Sequence, residues 1–223
     1  MAYLLFIVIA LVSWLVQRRL TNKFETYSRV PLAQPLTGSD VAMMMLTQNG
    51  INDVTVRPVA GTLSDYYDPS RHTVNLSQGV CYTNSVAAAA VAAHECGHAL
   101  QHHYGYAMLK LRTLLVPVVS FASKLLSWVL LAGIMLVEVF PQLLMVAVGL
   151  FALTTLFSFV TLPVEVDASR RAVAWLERAG ITYGETTAQA RDALHAAAYT
   201  YVVAALSSMA TLFYYAEIAF GRR

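Results

Sequence analysis

Of the chain's 223 residues, 57% are hydrophobic and only 13% are charged, and the mean hydropathy is +0.56. That balance excludes an ordinary soluble domain and favours a small folded part joined to membrane helices. A net charge of +2, with no basic stripe carrying interleaved aromatics, excludes a nucleic-acid partner. The two cysteines, Cys81 and Cys96, are too few for a disulfide framework or a cysteine-based zinc site.

The chain opens on an apolar stretch, residues 2–16, followed by Gln17-Arg18-Arg19. It lacks a small-residue cleavage pattern and reads as an uncleaved anchor. Residues 23–35 have no persistent periodicity and read as a loop leaving the membrane. Thr37-Gly38-Ser39-Asp40 then leads into a short helix over 41–48, stopped by Asn49-Gly50. Residues 54–59 and 72–76 have strand composition and predict a small β element standing against the next helix.

That next helix is predicted over 83–108. Six alanines and two valines follow Ser85, a strong helix former with a capping residue in front. It carries His94-Glu95-Cys96-Gly97-His98, an H-E-x-x-H sequence. On a helix, i,i+4 spacing puts both imidazoles on one face and within reach of one ion. Glu95 then stands beside a metal-bound water whose proton it can take. The Cys96 side chain points away from the histidine face, so it is read as packed and not ligating.

Three more apolar stretches follow, at 114–139, 143–162 and 198–219, each long enough to cross the hydrocarbon. Phe140-Pro141-Gln142 reads as a tight turn between the first two. Leu162-Pro163 is expected to break the run and start a separate helix over 164–179, closed by Gly180. A further amphipathic helix, 186–196, leads into the last span. Basic residues flank the spans on one side: Arg18, Arg19 and Lys23, then Lys110 and Arg112, then Arg170, Arg171 and Arg178. By the positive-inside rule that side is cytoplasmic, although Arg222 and Arg223 at the far end oppose it.

Two histidines leave a catalytic zinc one protein ligand short. His102 lies one further turn along, but three ligands spaced four apart spread over three turns of one straight helix. Glu165 is the favoured candidate, because two crossings return it to the side of His94 and His98. Asp167 is the runner-up, and Ser169 stands one turn beyond Glu165, where it can hydrogen-bond a ligand.

The stretches Tyr67-Asp68-Pro69 to Asn75-Leu76-Ser77, Ser85 to Gln101 and Leu162-Pro163-Val164-Glu165-Val166-Asp167-Ala168-Ser169-Arg170-Arg171-Ala172 together resemble the YugP-type bacterial membrane zinc metallopeptidases. The resemblance runs from about Thr37 to the last span and implies a neutral zinc endopeptidase with His94 and His98 on zinc and Glu95 as base. The last stretch is more distantly similar to the Glu-x-x-Ala-Asp helix of HtpX-like and CAAX prenyl-protease-like enzymes. That match implies Glu165 as third ligand, with Ser169 where those enzymes carry Asp.

The expected protein is therefore mainly α, a multi-pass inner-membrane protein with about four transmembrane helices. Its zincin-like cytoplasmic catalytic part carries the small β element. The expected parts are an anchor (1–17), a cytoplasmic part with the H-E-x-x-H helix (18–112), a helical hairpin (113–162), cytoplasmic helices with the third ligand (163–197) and a last span (198–223). One Zn2+ per chain and a peptide or membrane-protein substrate are expected, with hydrolysis by Glu95-assisted attack of a zinc-bound water. Tyr66, Tyr67, His102 and Arg171 are candidate oxyanion donors. The alternatives are a zinc-binding membrane scaffold or regulator without turnover, and a transporter component suggested by Lys124 and Glu217 in apolar stretches.

Overall fold

A computed structural model describes residues 2–221, so Arg222 and Arg223, which bore on topology, lie outside the described residues. The elements in order are α1 (Ala2–Tyr27), α2 (Gly38–Gln48), β1 (Thr55–Val59), β2 (Tyr66–Asp68), β3 (Thr73–Ser77) and α3 (Gln78–Cys81), then α4 (Val86–His103), α5 (Ala107–Met135), α6 (Pro141–Arg178) and α7 (Glu185–Phe220). The fold is mainly helical with one small sheet. Four of these helices, α1, α5, α6 and α7, are long and apolar enough to cross a membrane.

The chain divides into two compact units. One comprises Met1–Trp14, Ala107–Pro163 and Thr200–Arg223. Its helices turn large apolar side chains outward, among them Leu114, Phe121, Trp128 and Phe213, which is stable against lipid and not against water. Inside it, Gly133 lets α5 approach α6 closely, since a Cβ there would stand 2.9 Å from the Leu144 Cα. Thr155 and Ser208 share a hydrogen bond of 2.7 Å, and Phe6 meets Tyr214 edge-on at 5.4 Å.

The other unit comprises Leu15–Tyr106 and Val164–Tyr199. Its core is the alanine-rich start of α4, where Ala87, Ala89, Ala90, Ala92 and Ala93 are wholly buried. Small side chains let α2, the sheet and α6 approach that helix closely. Ser85 caps it, its Oγ accepting from the Ala88 N–H at 3.2 Å. Thr37 and Asp40 close a reciprocal capping box on α2, and Gly50 follows in the left-handed region at φ +73°. The sheet has the order β1-β3-β2, with β3 parallel to β1 and antiparallel to β2. All five residues of β3 are buried.

Several expected boundaries are corrected. The predicted loop at 23–35 begins only after Tyr27. The last turn of α1 is pinned by Lys23 Nζ, 2.7 Å from Asp192 Oδ2, and by the Tyr27 hydroxyl, which donates to the same carboxylate at 2.5 Å. The predicted helix over 83–108 is α4 alone. It ends at Tyr104-Gly105, where Gly105 takes φ +67°, and α5 starts afresh at Ala107. The tight turn lies just before Pro141, the Phe140 N–H donating to the Leu136 carbonyl. Pro141 opens α6, where a missing N–H costs nothing.

The largest correction concerns Pro163, which does not break the chain: α6 runs unbroken from Pro141 to Arg178. Pro117 likewise sits inside α5. Proline removes one backbone donor but leaves the rest of the ladder intact, and long apolar helices tolerate that loss. The amphipathic segment 186–196 and the last apolar stretch are similarly one helix, α7. Strand β2 was not expected. Three residues, Tyr66-Tyr67-Asp68, are too few to show alternation, and pairing with β3 alone defines them.

Candidate metal centre

Helix α4 presents His94 and His98 one turn apart, their rings edge to face with centres 4.8 Å apart. Glu165 of α6 reaches across to them, its Oε2 lying 3.3 Å from His94 Nε2 and 3.5 Å from His98 Nε2. One donor atom from each of the three lies within 4.8 Å of the others, the one such group among the described residues. The structure thus brings together three of the four residues expected at the site, and the fourth, Glu95, is adjacent in α4.

This approach depends on Gly97. A Cβ at that position would stand 2.7 Å from the Ala168 carbonyl oxygen, a distance no real Cβ tolerates. The glycine inside the H-E-x-x-H sequence therefore lets α4 and α6 touch backbone to side of backbone, three residues beyond Glu165. Cys96 faces the opposite way. It is buried, with Sγ 3.6 Å from the Ala42 carbonyl of α2, and burial pushes its thiol well above the usual range.

Both imidazoles are held from behind. Ser169 Oγ lies 3.1 Å from His94 Nδ1. Gln101, wholly buried, accepts from His98 Nδ1 through its Oε1 at 3.0 Å. The same amide donates from Nε2 to the Val164 carbonyl at 2.8 Å and to Asp167 Oδ2 at 2.9 Å. Gln101 Oε1 can only accept, which places a hydrogen on His98 Nδ1, while the Ser169 hydroxyl can donate or accept at His94 Nδ1; both Nε2 atoms face Glu165. Asp167, the runner-up ligand, is turned elsewhere: it accepts from Arg171 Nε at 2.6 Å as well as from Gln101.

Glu95 is buried and, among the described residues, forms no side-chain hydrogen bond. Burial pushes its carboxyl upward, against the pull of His94 and His98. Burial lowers His98 in turn, but the hydrogen bond and charge of Glu165 outweigh it, so the net shift is upward. Two imidazole nitrogens and a carboxylate oxygen, converging from largely buried side chains, form a donor set that suits zinc chemically.

The candidate oxyanion donors are not gathered at this point. Tyr67 bonds His102, Arg171 is held by Asp167, and Tyr66 is about half exposed. Gln101 and Gly97 were missed as contributors. The signal for Gln101 was present in its spacing, since it follows His98 by three residues and lies on the same helix face. The signal for Gly97 was its place between the histidines, but only the partner helix reveals its use.

Helices of membrane-spanning length and a His-His-Glu cluster that could hold a metal ion describe a membrane protein with a candidate metal centre. The chain belongs to the family described as "Putative neutral zinc metallopeptidase", which it matches over residues 2–220. It is 41% identical over 197 residues to a Bacillus subtilis (strain 168) protein described as "Putative membrane protease YugP", an overlap covering 88% of this chain and 87% of that relative. No solved structure matches the chain.

Proposed function

We propose that this protein is a gluzincin-like membrane endopeptidase holding one zinc ion per chain through His94, His98 and Glu165. The observation that carries the reading is the convergence of three donors from two helices, each imidazole oriented from behind by Ser169 or Gln101. A bound zinc would polarise the peptide carbonyl and acidify the attacking water. Glu95 is the base in this reading. It accepts the water's proton and delivers it to the leaving nitrogen, and burial favours the task by raising its proton affinity. Ser169 and Gln101 orient both imidazoles so that Nε2 faces Glu165, and Gln101 Oε1 keeps the hydrogen of His98 on Nδ1. The buried setting of Glu95, His98 and Glu165 limits competing water.

A peptide or a membrane-protein segment is the substrate in this reading. Strand β2 lies at an edge of the sheet, where an extended chain can add itself by main-chain hydrogen bonds. The basic flanks at Arg18, Arg19, Lys110, Arg112, Arg170 and Arg171 support a cytoplasmic catalytic part in a bacterial inner membrane. A scaffold without turnover would have no use for an unbonded carboxylate at Glu95.

The test measures zinc content beside hydrolysis of an unfolded or membrane-protein substrate. Glu95→Gln should keep its zinc while turnover falls by at least ~100-fold, the scale of general-base contributions. Glu165→Ala should lose both, and Asp167→Asn should retain most of both. Full turnover in Glu95→Gln would defeat the mechanism, and full zinc in Glu165→Ala would defeat the ligand set.

A further inference from the structure

The chain has six histidines, and the candidate metal centre uses two of them. Three of the other four, His72, His102 and His103, line one half-open cavity of about 260 Å³ together with Asp53 and Tyr67. His102 and His103 are the last two residues of α4. His72 belongs to the turn that joins β2 to β3. The cavity begins one helical turn past His98, a rise of about 6 Å along the same helix.

The rings in this cavity are oriented and not merely near one another. His72 Nδ1 lies 2.7 Å from Asp53 Oδ2, a carboxylate–imidazole pairing of the kind that fixes metal-binding histidines. The His72 backbone sits in the left-handed region at φ +51°, a conformation that a non-glycine residue adopts only at an energetic cost. It is held there in part by the Thr55 N–H, which donates to the His72 carbonyl at 3.0 Å. On the opposite wall, His102 Nδ1 lies 2.8 Å from the Tyr67 hydroxyl. Burial, then the charges of Asp53 and Asp68, push Tyr67 up to about 12, so it remains a phenol beside the imidazole.

The rings of His72 and His102 stand edge to face, inclined at 70°, with centres 5.4 Å apart. Two imidazoles binding one tetrahedral ion at about 2.0–2.1 Å have ring centres roughly 5 Å apart. The His94–His98 pair, at 4.8 Å and 82°, falls on the other side of that value. The ring-centre spacing of both pairs is compatible with a shared ion.

We propose that His72 and His102 form a second metal site, specific for late first-row divalent ions such as nickel, copper and zinc. Their Nε2 atoms are the ligands, Asp53 and Tyr67 orient the two rings, and His103 supplies a third imidazole by a side-chain rotation. Imidazole donors select these ions over magnesium and calcium, which take oxygen ligands. With two ligands in place and the His72 side chain 43% exposed, the site binds more weakly than the buried one and exchanges its metal readily.

The experiment uses full-length, zinc-loaded protein in detergent, purified without a polyhistidine tag and titrated with Ni2+ by calorimetry. One Ni2+ per chain should bind without displacing the resident zinc, and Cu2+ at the same site should show coupling to at least two imidazole nitrogens by electron paramagnetic resonance. His72→Ala and His102→Ala should each weaken Ni2+ binding by at least ~30-fold with zinc content unchanged. Asp53→Asn, which leaves both rings in place, should weaken it about tenfold. Glu165→Ala should lose zinc from the buried centre and still bind Ni2+ here. Absence of the Ni2+ event in wild type, or its survival at full affinity in either histidine variant, would overturn the proposal.

Discussion

Helix α4 contributes to two histidine pairs of similar ring spacing in opposite surroundings. His94 and His98 sit in the middle of the helix, where His98 is only 7% exposed, and a third donor reaches them from α6. His72 and His102 meet at the helix end, with the His72 side chain 43% exposed and its orienting Asp53 63% exposed. Spacing between imidazoles is thus the part of a metal site that arises easily. What separates the two is burial, the Glu165 carboxylate and, at His98, an orienting amide that water cannot replace. Only the buried pair also has a neighbouring carboxylate, Glu95, with nothing else to bond.

Gly97 offers the most severe way to break that contrast. Glycine to alanine inside a helix normally gains about 0.5–1 kcal/mol from backbone entropy. Here the new Cβ would stand 2.7 Å from the Ala168 oxygen and 3.1 Å from its Cα, so α4 and α6 must separate. Overpacking against backbone costs about 1–3 kcal/mol and outweighs the gain. Gly97→Ala should lower the thermal midpoint and cost the buried centre more zinc affinity than any loss of an orienting partner. Ni2+ binding at His72 and His102 should remain as in wild type. Unchanged zinc affinity in this variant would mean that the backbone contact does not position Glu165.

Gln101 comes next. Its amide satisfies His98 Nδ1, the Val164 carbonyl and Asp167 at once, in a place with no exposed surface. Gln101→Leu fills the volume and removes all three bonds, leaving a buried imidazole N–H without a partner. Zinc affinity should fall by about 10- to 100-fold, the range for lost orienting partners. Gln101→Glu, which can still accept from Nδ1, should recover part of that loss. An equal loss in both variants would indicate a packing role only.

These two residues also mark how far the sequence could be read. The i,i+4 histidines, the intervening glutamate and the meeting of Glu165 with that pair were legible, because spacing and the order of apolar stretches do not depend on tertiary detail. The capping of α2 was legible for the same local reason. Pro163 misled, since a rule derived from water-exposed helices was applied where a long apolar helix carries the ladder through. Gly97 acquires its meaning only from Ala168, and Gln101 its anchor only from Asp167, both distant in sequence. No window of local sequence holds that information.

Ser169 gives the smallest effect and the finest discrimination. It orients His94 as Gln101 orients His98, but with one hydroxyl at 3.1 Å and no further anchor that ties the two helices together. The His94 side chain is 13% exposed against 9% for His98. It borders on solvent, so water can take the hydroxyl's place in Ser169→Ala. One neutral hydrogen bond is worth about 0.5–1.5 kcal/mol net, which sets the expected loss of zinc affinity at roughly two- to tenfold. That is less than for Gln101→Leu, and turnover at saturating zinc should stay within about twofold of wild type. Should Ser169→Ala prove as damaging as Gln101→Leu, tautomer control at His94 would matter as much as the buried amide, and solvent access would not be what ranks the two histidines.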